Sequence, residues 1–425
     1  MRSIKYDVVV IGAGPAGLAA ASRAKAMGVK RVLLVDRDRE PGGILQQCIH
    51  NGFGLHLFKE ELTGPEYAYK FIEESYASGV EFLMNTMVLT IQPDRQIYAI
   101  NRKVGMLKIE AQAIVLAMGC RERNRGAVTI PGSRPSGIFT AGTAQRFVNM
   151  EGYMPGRHVV ILGSGDIGLI MARRFTWEGA KVEGVFEIMP YSNGLNRNIV
   201  QCLKDNNIPL HLSHTVTKVH GNERIEAVTV SQVDEHFTPL SGSEQVIPCD
   251  TLLLSVGLIP ENELSRDAGI HIDPVIGGPV VTDEMETTLA GVFACGNVVH
   301  VHDLVDNVTR ESWLAGEGAA RLVLGQQPTR DLVTTKAGSG VRYVVPHKIH
   351  VENLATRTTT LYLRVLQPEE NVRVELVSGT KSLFSVHQRV VRPAEMVSIN
   401  VPPKRITATA GEELMVRLVR EGDKA

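Results

Sequence analysis

One pattern occurs twice in this chain and narrows its fold more than any other feature. Gly12, Gly14, Gly17 and Asp36 return as Gly163, Gly165, Gly168 and Glu187, each displaced by 151 positions. Both copies open on a short apolar run (residues 8–11 and 159–162) and enter a helix-like stretch that stops at Gly28 or Gly179, so both read strand, turn, helix. In such a turn the first glycine permits the tight bend, the second lets backbone approach a pyrophosphate, and the third lets the helix pack close to the strand. The phosphates rest on the helix N-terminus, where unpaired amides and the helix dipole favour anions. A second apolar strand (residues 31–36 and 181–187) ends in each case on the acid, at the position where a carboxylate hydrogen-bonds ribose hydroxyls. One glycine-rich turn is weak evidence; two with the acid at the same offset predict two nucleotide cofactors in one polypeptide. The candidate binding residues are Gly12, Gly14, Pro15, Ala16, Gly17, Asp36, Arg37 and Gly43 for the first, and Gly163, Gly165, Asp166, Ile167, Gly168 and Glu187 for the second.

The rest of the composition fits enzyme-sized domains. With 425 residues, 44% of them hydrophobic, the chain can build two to three cores. A formal net charge of −1 gives no electrostatic case for nucleic acid or an anionic membrane. The longest apolar stretch, residues 8–21, is broken by Gly and Pro, so the sequence reads as having neither signal peptide nor membrane span. Its five cysteines (Cys48, Cys120, Cys202, Cys249, Cys295) are widely spaced with no CxxC pair; this suits a reducing cytoplasm and predicts no metal or iron–sulfur site.

Further apolar strands close on glycine at Gly119 (AIVLAMG) and Gly257 (TLLLSVG), returning strands of the two nucleotide domains. Pro131, Gly132, Pro135 and Gly137 mark crossover linkers ahead of a short helix at 141–150. Residues 282–296 and a helix-like 307–322 have no counterpart in the second repeat and complete the first domain by length. From about residue 338 the pattern alternates apolar and polar through 341–345, 360–365, 372–377, 383–391, 396–401 and 413–419, which predicts a small all-β sandwich, a docking or oligomerisation module.

These residues resemble the flavoproteins with two dinucleotide-binding domains, which include disulfide reductases, thioredoxin reductases and NADH oxidases. The resemblance covers residues 1–330. It implies FAD on the first fingerprint and NAD(P)H on the second, with Gly119 and Gly257 in hinge motifs and LAGVFACGN (289–297) as a late FAD motif that adds Gly296 and Asn297. The expected fold is therefore α/β, two Rossmann-like domains of the three-layer ββα type with the second inserted in the first, plus the C-terminal β domain. The expected boundaries are 1–120 with 256–330 for FAD, 121–255 for NAD(H) and 331–425 for the β domain.

Three departures sharpen the reading. The late motif ends in Gly296-Asn297 where the family has Gly-Asp; an Asn oxygen still accepts a ribityl hydrogen bond, at a loss on the order of 1 kcal/mol. The loop GGILQQCIH (42–50) carries one cysteine where disulfide reductases carry two, so no redox disulfide forms there. Cys48 is the candidate catalytic group, either a low-pKa thiolate helped by His50 or a small packing residue. The C-terminal domain lacks the reductases' His-Glu pair. Near the late motif His300, His302 and Asp303 read as a solvated loop or as neighbours of the flavin, and Arg121, Glu122 and Arg123 as a surface ion cluster or a nucleotide contact.

GGILQQCIHNGFG (42–54), ELTGPEYA (61–68), AGTAQR (141–146), LGSGDIGLIMARR (162–174) and LNRNIVQCL (195–203) are similar to a bacterial group of NAD(P)/FAD-dependent oxidoreductases. That group is encoded beside an anaerobic-type glycerol-3-phosphate dehydrogenase and a small Cys-rich protein. More distantly the chain resembles flavoprotein subunits of opine, proline and sarcosine dehydrogenases and of hydrogen cyanide synthase. The resemblance implies hydride transfer between nicotinamide C4 and flavin N5, with electrons exchanged with the small Cys-rich protein and a partner dehydrogenase subunit. A stand-alone NADH oxidase or peroxidase using Cys48, and a structural or relay subunit, are the alternatives. Glu187 is followed by Ile188 and Met189 rather than Arg, which favours NAD(H) over NADP(H).

Overall fold

The computed structural model describes residues 2–420; the last five residues of the expected C-terminal domain lie outside them. The chain forms two compact units, one of residues 1–46, 51–120 and 260–425, the other of 47–50 and 121–259.

The first unit is built on a seven-stranded sheet. Strand β1 (Arg2–Ile11) leads into helix α1 (Pro15–Ala26), and β2 (Val32–Val35) returns parallel to β1 with Val8 opposite Val32. All four residues of β2 are buried, as a parallel strand covered on both faces requires. The long strand β3 (Gly105–Leu116) lies parallel to β1 on its other side. Its first half closes an antiparallel meander with 86–91 and 96–101; its end pairs with Val292–Ala294, which enters the sheet only after the whole second unit has been traversed.

The second unit repeats the plan. A five-stranded parallel sheet runs in the order 138–140, 251–254, 158–162, 181–187, 210–212, and a three-stranded antiparallel sheet follows. Its fingerprint elements are β4 (His158–Leu162), α2 (Asp166–Trp177) and β5 (Lys181–Glu187), with β6 (Thr251–Leu254) beside β4. Leu169, Met171, Ala172 and Phe175 bury one side of α2 against the sheet.

Back in the first unit, α3 (Val305–Val323) crosses α1. The helices touch at Gly316, where an added Cβ would come within 2.4 Å of the Ala20 carbonyl oxygen. The C-terminal strands form two sheets, one of five strands and one of three, around a shared core that includes Val333, Leu361, Leu363, Val374, Ile399 and Val416. Strand Leu332–Ala337, strand Lys348–His350 and helix Val351–Thr356 join the alternating segments expected there. No helix among the described residues is long and apolar enough to cross a membrane.

Candidate functional site

At the first fingerprint, glycines meet at the start of α1. An added Cβ on Gly12 would lie 2.4 Å from Ala117 O, on Gly17 1.7 Å from Gly12 O, and on Gly43 2.9 Å from Gly14 Cα. Gly14, the residue before α1, faces open space with nothing within 4 Å, and Pro15 starts the helix where its missing N–H costs nothing. Bare backbone amides around a helix N-terminus, with room above Gly14, fit a dinucleotide pyrophosphate. Asp36 accepts from Ala13 N at 2.5 Å and from Asp38 N at 2.8 Å, pinning the glycine loop to the end of β2. Arg37 forms an ion pair with Glu261 at 3.0 Å.

The second fingerprint repeats this bonding residue for residue. Glu187 accepts from Ser164 N at 2.9 Å and from Met189 N at 2.9 Å, the same two offsets that Asp36 uses. It also takes the Ser164 hydroxyl at 2.6 Å and is 3% exposed, so here its oxygens serve the chain's own donors. Ser255, at the place of Ala117 in the first unit, crowds all three glycines: an added Cβ would meet a Ser255 atom at 2.2 Å from Gly163, 2.9 Å from Gly165 and 2.5 Å from Gly168. Its hydroxyl accepts from Gly168 N at 3.1 Å. Asp166 opens α2 and accepts from Leu195 N at 2.8 Å and Asn198 Nδ2 at 2.6 Å, which fastens the segment after β5 across the helix start. Ile167 packs into the core behind, and Gly257 O accepts from Arg123 N at 3.0 Å. Comparison of AIVLAMG with TLLLSVG contained the signal for Ser255; Ser164 carried none.

In the first unit the late motif folds onto the fingerprint. Gly296, at φ 73°, sits where an added Cβ would be 2.8 Å from Ala16 Cβ. Asn297 Oδ1 accepts from His302 N at 3.0 Å, and its Nδ2 points at Cys120 Sγ at 3.5 Å. Gly119 adopts φ 72° and its carbonyl accepts from Glu261 N at 3.0 Å. His300 and His302 are not on a solvated loop. Both are buried, and their Nε2 atoms converge on Glu311 Oε2 at 2.7 and 3.2 Å, while Glu311 Oε1 accepts from Gly296 N at 2.7 Å. A carboxylate only accepts, so both imidazoles donate through Nε2. Burial pushes the His300 imidazole down to about 4. Burial also works against the Glu311 charge, but the two imidazoles outweigh it and hold the carboxyl below its ordinary range. The three side chains are also metal-ligand types, yet the N–O separations are those of hydrogen bonds, and the His Nδ1 atoms lack the orienting partners that ligating imidazoles keep. Glu311 lies 15 positions from Gly296, and nothing in its sequence surroundings marked it.

Cys48 belongs to the second unit. Its Sγ lies 3.8 Å from Gln145 Oε1, and Gln47 Nε2 donates to the same oxygen at 3.0 Å. Burial pushes the Cys48 thiol up to about 12, and burial with the nearby Arg173 and Arg197 pushes His50 down to about 4. At neutral pH the pair is thiol and neutral imidazole, which fits the packing alternative for Cys48 better than the thiolate one. None of the five cysteines is in a disulfide. Glu122 turns inward rather than to the surface: its carboxylate takes Gly142 N at 2.8 Å at the start of the 141–146 helix.

The C-terminal sheets are fastened to the rest of the first unit through two acids. Asp283 accepts from His350 Nδ1 at 2.6 Å, Asn353 Nδ2 at 2.8 Å and Arg357 at 3.0 Å. Burial opposes its charge, but these donors prevail and hold the carboxyl below its usual range. Asp303 pairs with Arg364 and accepts from Met396 N at 2.5 Å. Tyr343 and Tyr362 bring their rings against His300, with centroids 5.9 and 5.7 Å away.

Two glycine cradles on two Rossmann-like folds, each pinned by an acid, define a protein that binds two dinucleotides. The chain belongs to the pyridine nucleotide-disulphide oxidoreductase family, whose model matches residues 6–314; these are FAD-dependent NAD(P)H oxidoreductases. It is 28% identical over 314 residues to an opine oxidase subunit of Agrobacterium tumefaciens, covering 69% of this chain and 61% of that protein. It is 25% identical to the hydrogen cyanide synthase subunit HcnB of Pseudomonas aeruginosa, covering 62% and 59%. The chain thus spans about three fifths of the length of those relatives. Thioredoxin reductase of Listeria monocytogenes matches at 27% identity over 75% of this chain and 94% of its own. Among solved structures, T. acidophilum thioredoxin reductase superposes with a TM-score of 0.61 at 23% identity, covering 74% of this chain and 98% of that one, a likeness of fold.

Proposed function

We propose that this chain is the NADH-linked FAD subunit of a multi-component dehydrogenase, exchanging electrons with a partner protein in the cytoplasm. The observation that carries the reading is the duplicated cradle: each unit has its glycine turn on a helix N-terminus and its acid pinning that turn. Bound at the first cradle, FAD would supply the two-electron redox chemistry. Gly12, Gly14, Pro15, Ala16, Gly17, Asp36, Gly43, Gly119, Gly296 and Asn297 would hold it, and Gly163, Gly165, Asp166, Ile167, Gly168, Glu187 and Gly257 the nicotinamide nucleotide. Arg37, tied to Glu261, would sit at the rim. The protein's own task is to bind and orient each cofactor and exclude water.

An external acceptor is favoured by the sulfur chemistry. The loop of residues 42–50 carries one cysteine, and its thiol is buried and protonated at neutral pH, so no redox pair forms there to pass electrons on. The opine oxidase and hydrogen cyanide synthase relatives are by name subunits of larger enzymes, which supports a partner here. The partners we put forward are a small Cys-rich protein and a glycerol-3-phosphate dehydrogenase-like subunit. NAD(H) is favoured over NADP(H) because Glu187, with Ile188 and Met189 after it, offers a 2′-phosphate no positive charge.

Anaerobic mixing of the purified chain with NADH, and separately NADPH, followed at 450 nm, tests this. Rapid bleaching by NADH and slow bleaching by NADPH is the expected result. A yellow protein that neither nucleotide bleaches would make this chain an electron relay instead, a reading that the closure of Asp166 by Leu195 and Asn198 would then explain.

A further inference from the structure

One costly feature of the first unit is a buried acid. Glu311 is fully buried on α3, and among the described residues no lysine or arginine pairs with it; its partners are Gly296 N and two imidazoles. Burying a carboxylate without a cation is expensive, and a neutral glutamine could fill the same space. The fold nevertheless seals the site: Tyr343 and Tyr362 from the C-terminal sheets close over His300 and His302, with Tyr362 5.5 Å from the His302 ring. Sealing out water keeps the local dielectric low, so the charge is felt over a longer distance than at a surface.

Its place gives it something to act on. The Gly296 amide that Glu311 holds belongs to the turn packed on Ala16 in the first turn of α1, so the charge stands one hydrogen bond behind the first cradle. Asp306, also buried, adds an acid to the first turn of α3. That acid opposes the positive end of the helix, so the first turn of α3 does not offset the Glu311 charge.

We infer that Glu311 is an electrostatic positioning residue that holds the turn at Gly296 and keeps the midpoint potential of the bound flavin low. The inference rests on FAD occupying the first cradle. The two electrons that enter the flavin meet a fixed negative charge, so the reduced form becomes a stronger donor to whatever accepts its electrons. His300 and His302 hold the carboxylate in place through their Nε2 atoms, and the C-terminal sheets keep it dry.

The test is an anaerobic redox titration, against reference dyes, of FAD-loaded wild-type chain and of Glu311→Gln, Glu311→Met and Glu311→Asp. Both neutral variants are expected to shift the oxidised-to-reduced ratio at fixed potential by tenfold or more toward reduced flavin, which for a two-electron couple is a rise of about 30 mV. Glu311→Asp, which keeps the charge, is expected to stay near wild type. An unchanged potential in a neutral variant that still holds FAD would overturn the inference. So would loss of FAD from both neutral variants with retention in Glu311→Asp, because the carboxylate would then be only structural. A wild-type chain that holds no FAD, as isolated or after reconstitution, would overturn the FAD reading itself before any variant was compared.

Discussion

In this structure Glu187 holds the second cradle's own donors. Glu187→Ala would leave Ser164 N and Met189 N, the two amides that shape the second cradle, without their acceptor. A buried donor without a partner costs about 1–3 kcal/mol, so the second unit should lose on the order of 2–4 kcal/mol and bind NADH at least tenfold more weakly. Chemical denaturation monitored with NADH affinity checks this, and an unaltered protein on both counts would refute the pinning role. Gly296→Ala should be worse for FAD than for the fold elsewhere, since its Cβ would meet Ala16 and its φ of 73° disfavours side chains; flavin retention after gel filtration reads it. The buried histidines make a pH prediction. His50 and His300 sit near 4 in the fold against about 6.5 when unfolded, so below pH 6.5 the unfolded chain binds protons that the native chain does not. Stability should therefore fall as pH drops from 6.5 to 4, by a few kcal/mol in all, and His300→Gln should flatten part of that slope in a series of thermal melts.

Elements were legible in the sequence where one local rule governed them. Strands β1, β2, β4 and β5, the two glycine turns and the alternating C-terminal segments follow from apolar period and turn chemistry. Helix α3 was legible because its pattern ran unbroken from 307 to 322, and it spans Val305–Val323. What escaped was set by partners far away in the chain. Asp283 and His350 are 67 positions apart, and neither has a neighbour in sequence that hints at the other. The burial of His300 and His302 depends on Tyr343 and Tyr362, which arrive from the sandwich. Asp283→Ala should loosen that sandwich, because it strips His350, Asn353 and Arg357 of their shared acceptor and leaves Arg357 short of a counter-charge. A loss of about 3–5 kcal/mol is expected for breaking so buried a pair. Hydrogen exchange should then rise across 332–420 while the strands of the seven-stranded sheet stay protected; uniform protection would show that Asp283 is not the fastener.

At the scale of the whole molecule, the one cysteine of loop 42–50 separates this chain from enzymes that carry two there. Cys48→Ala is expected to leave NADH-driven bleaching of the flavin within about twofold of wild type, whereas slowed bleaching would place the sulfur in the chemistry. Electron delivery to an added dye should likewise survive. The late return of Val292–Ala294 to the edge of β3, beside Ile114–Leu116, has a consequence for how the protein is made. A ribosome adds about 5–20 residues per second, so the nascent first sheet waits on the order of ten seconds or more for its last strand. During that interval the second unit, whose sheet is complete by residue 254, has every strand it needs. Biogenesis should therefore be inside-out: the interrupting segment acquires protease resistance first, and the sheet it interrupts stays open to chaperones until synthesis passes residue 294.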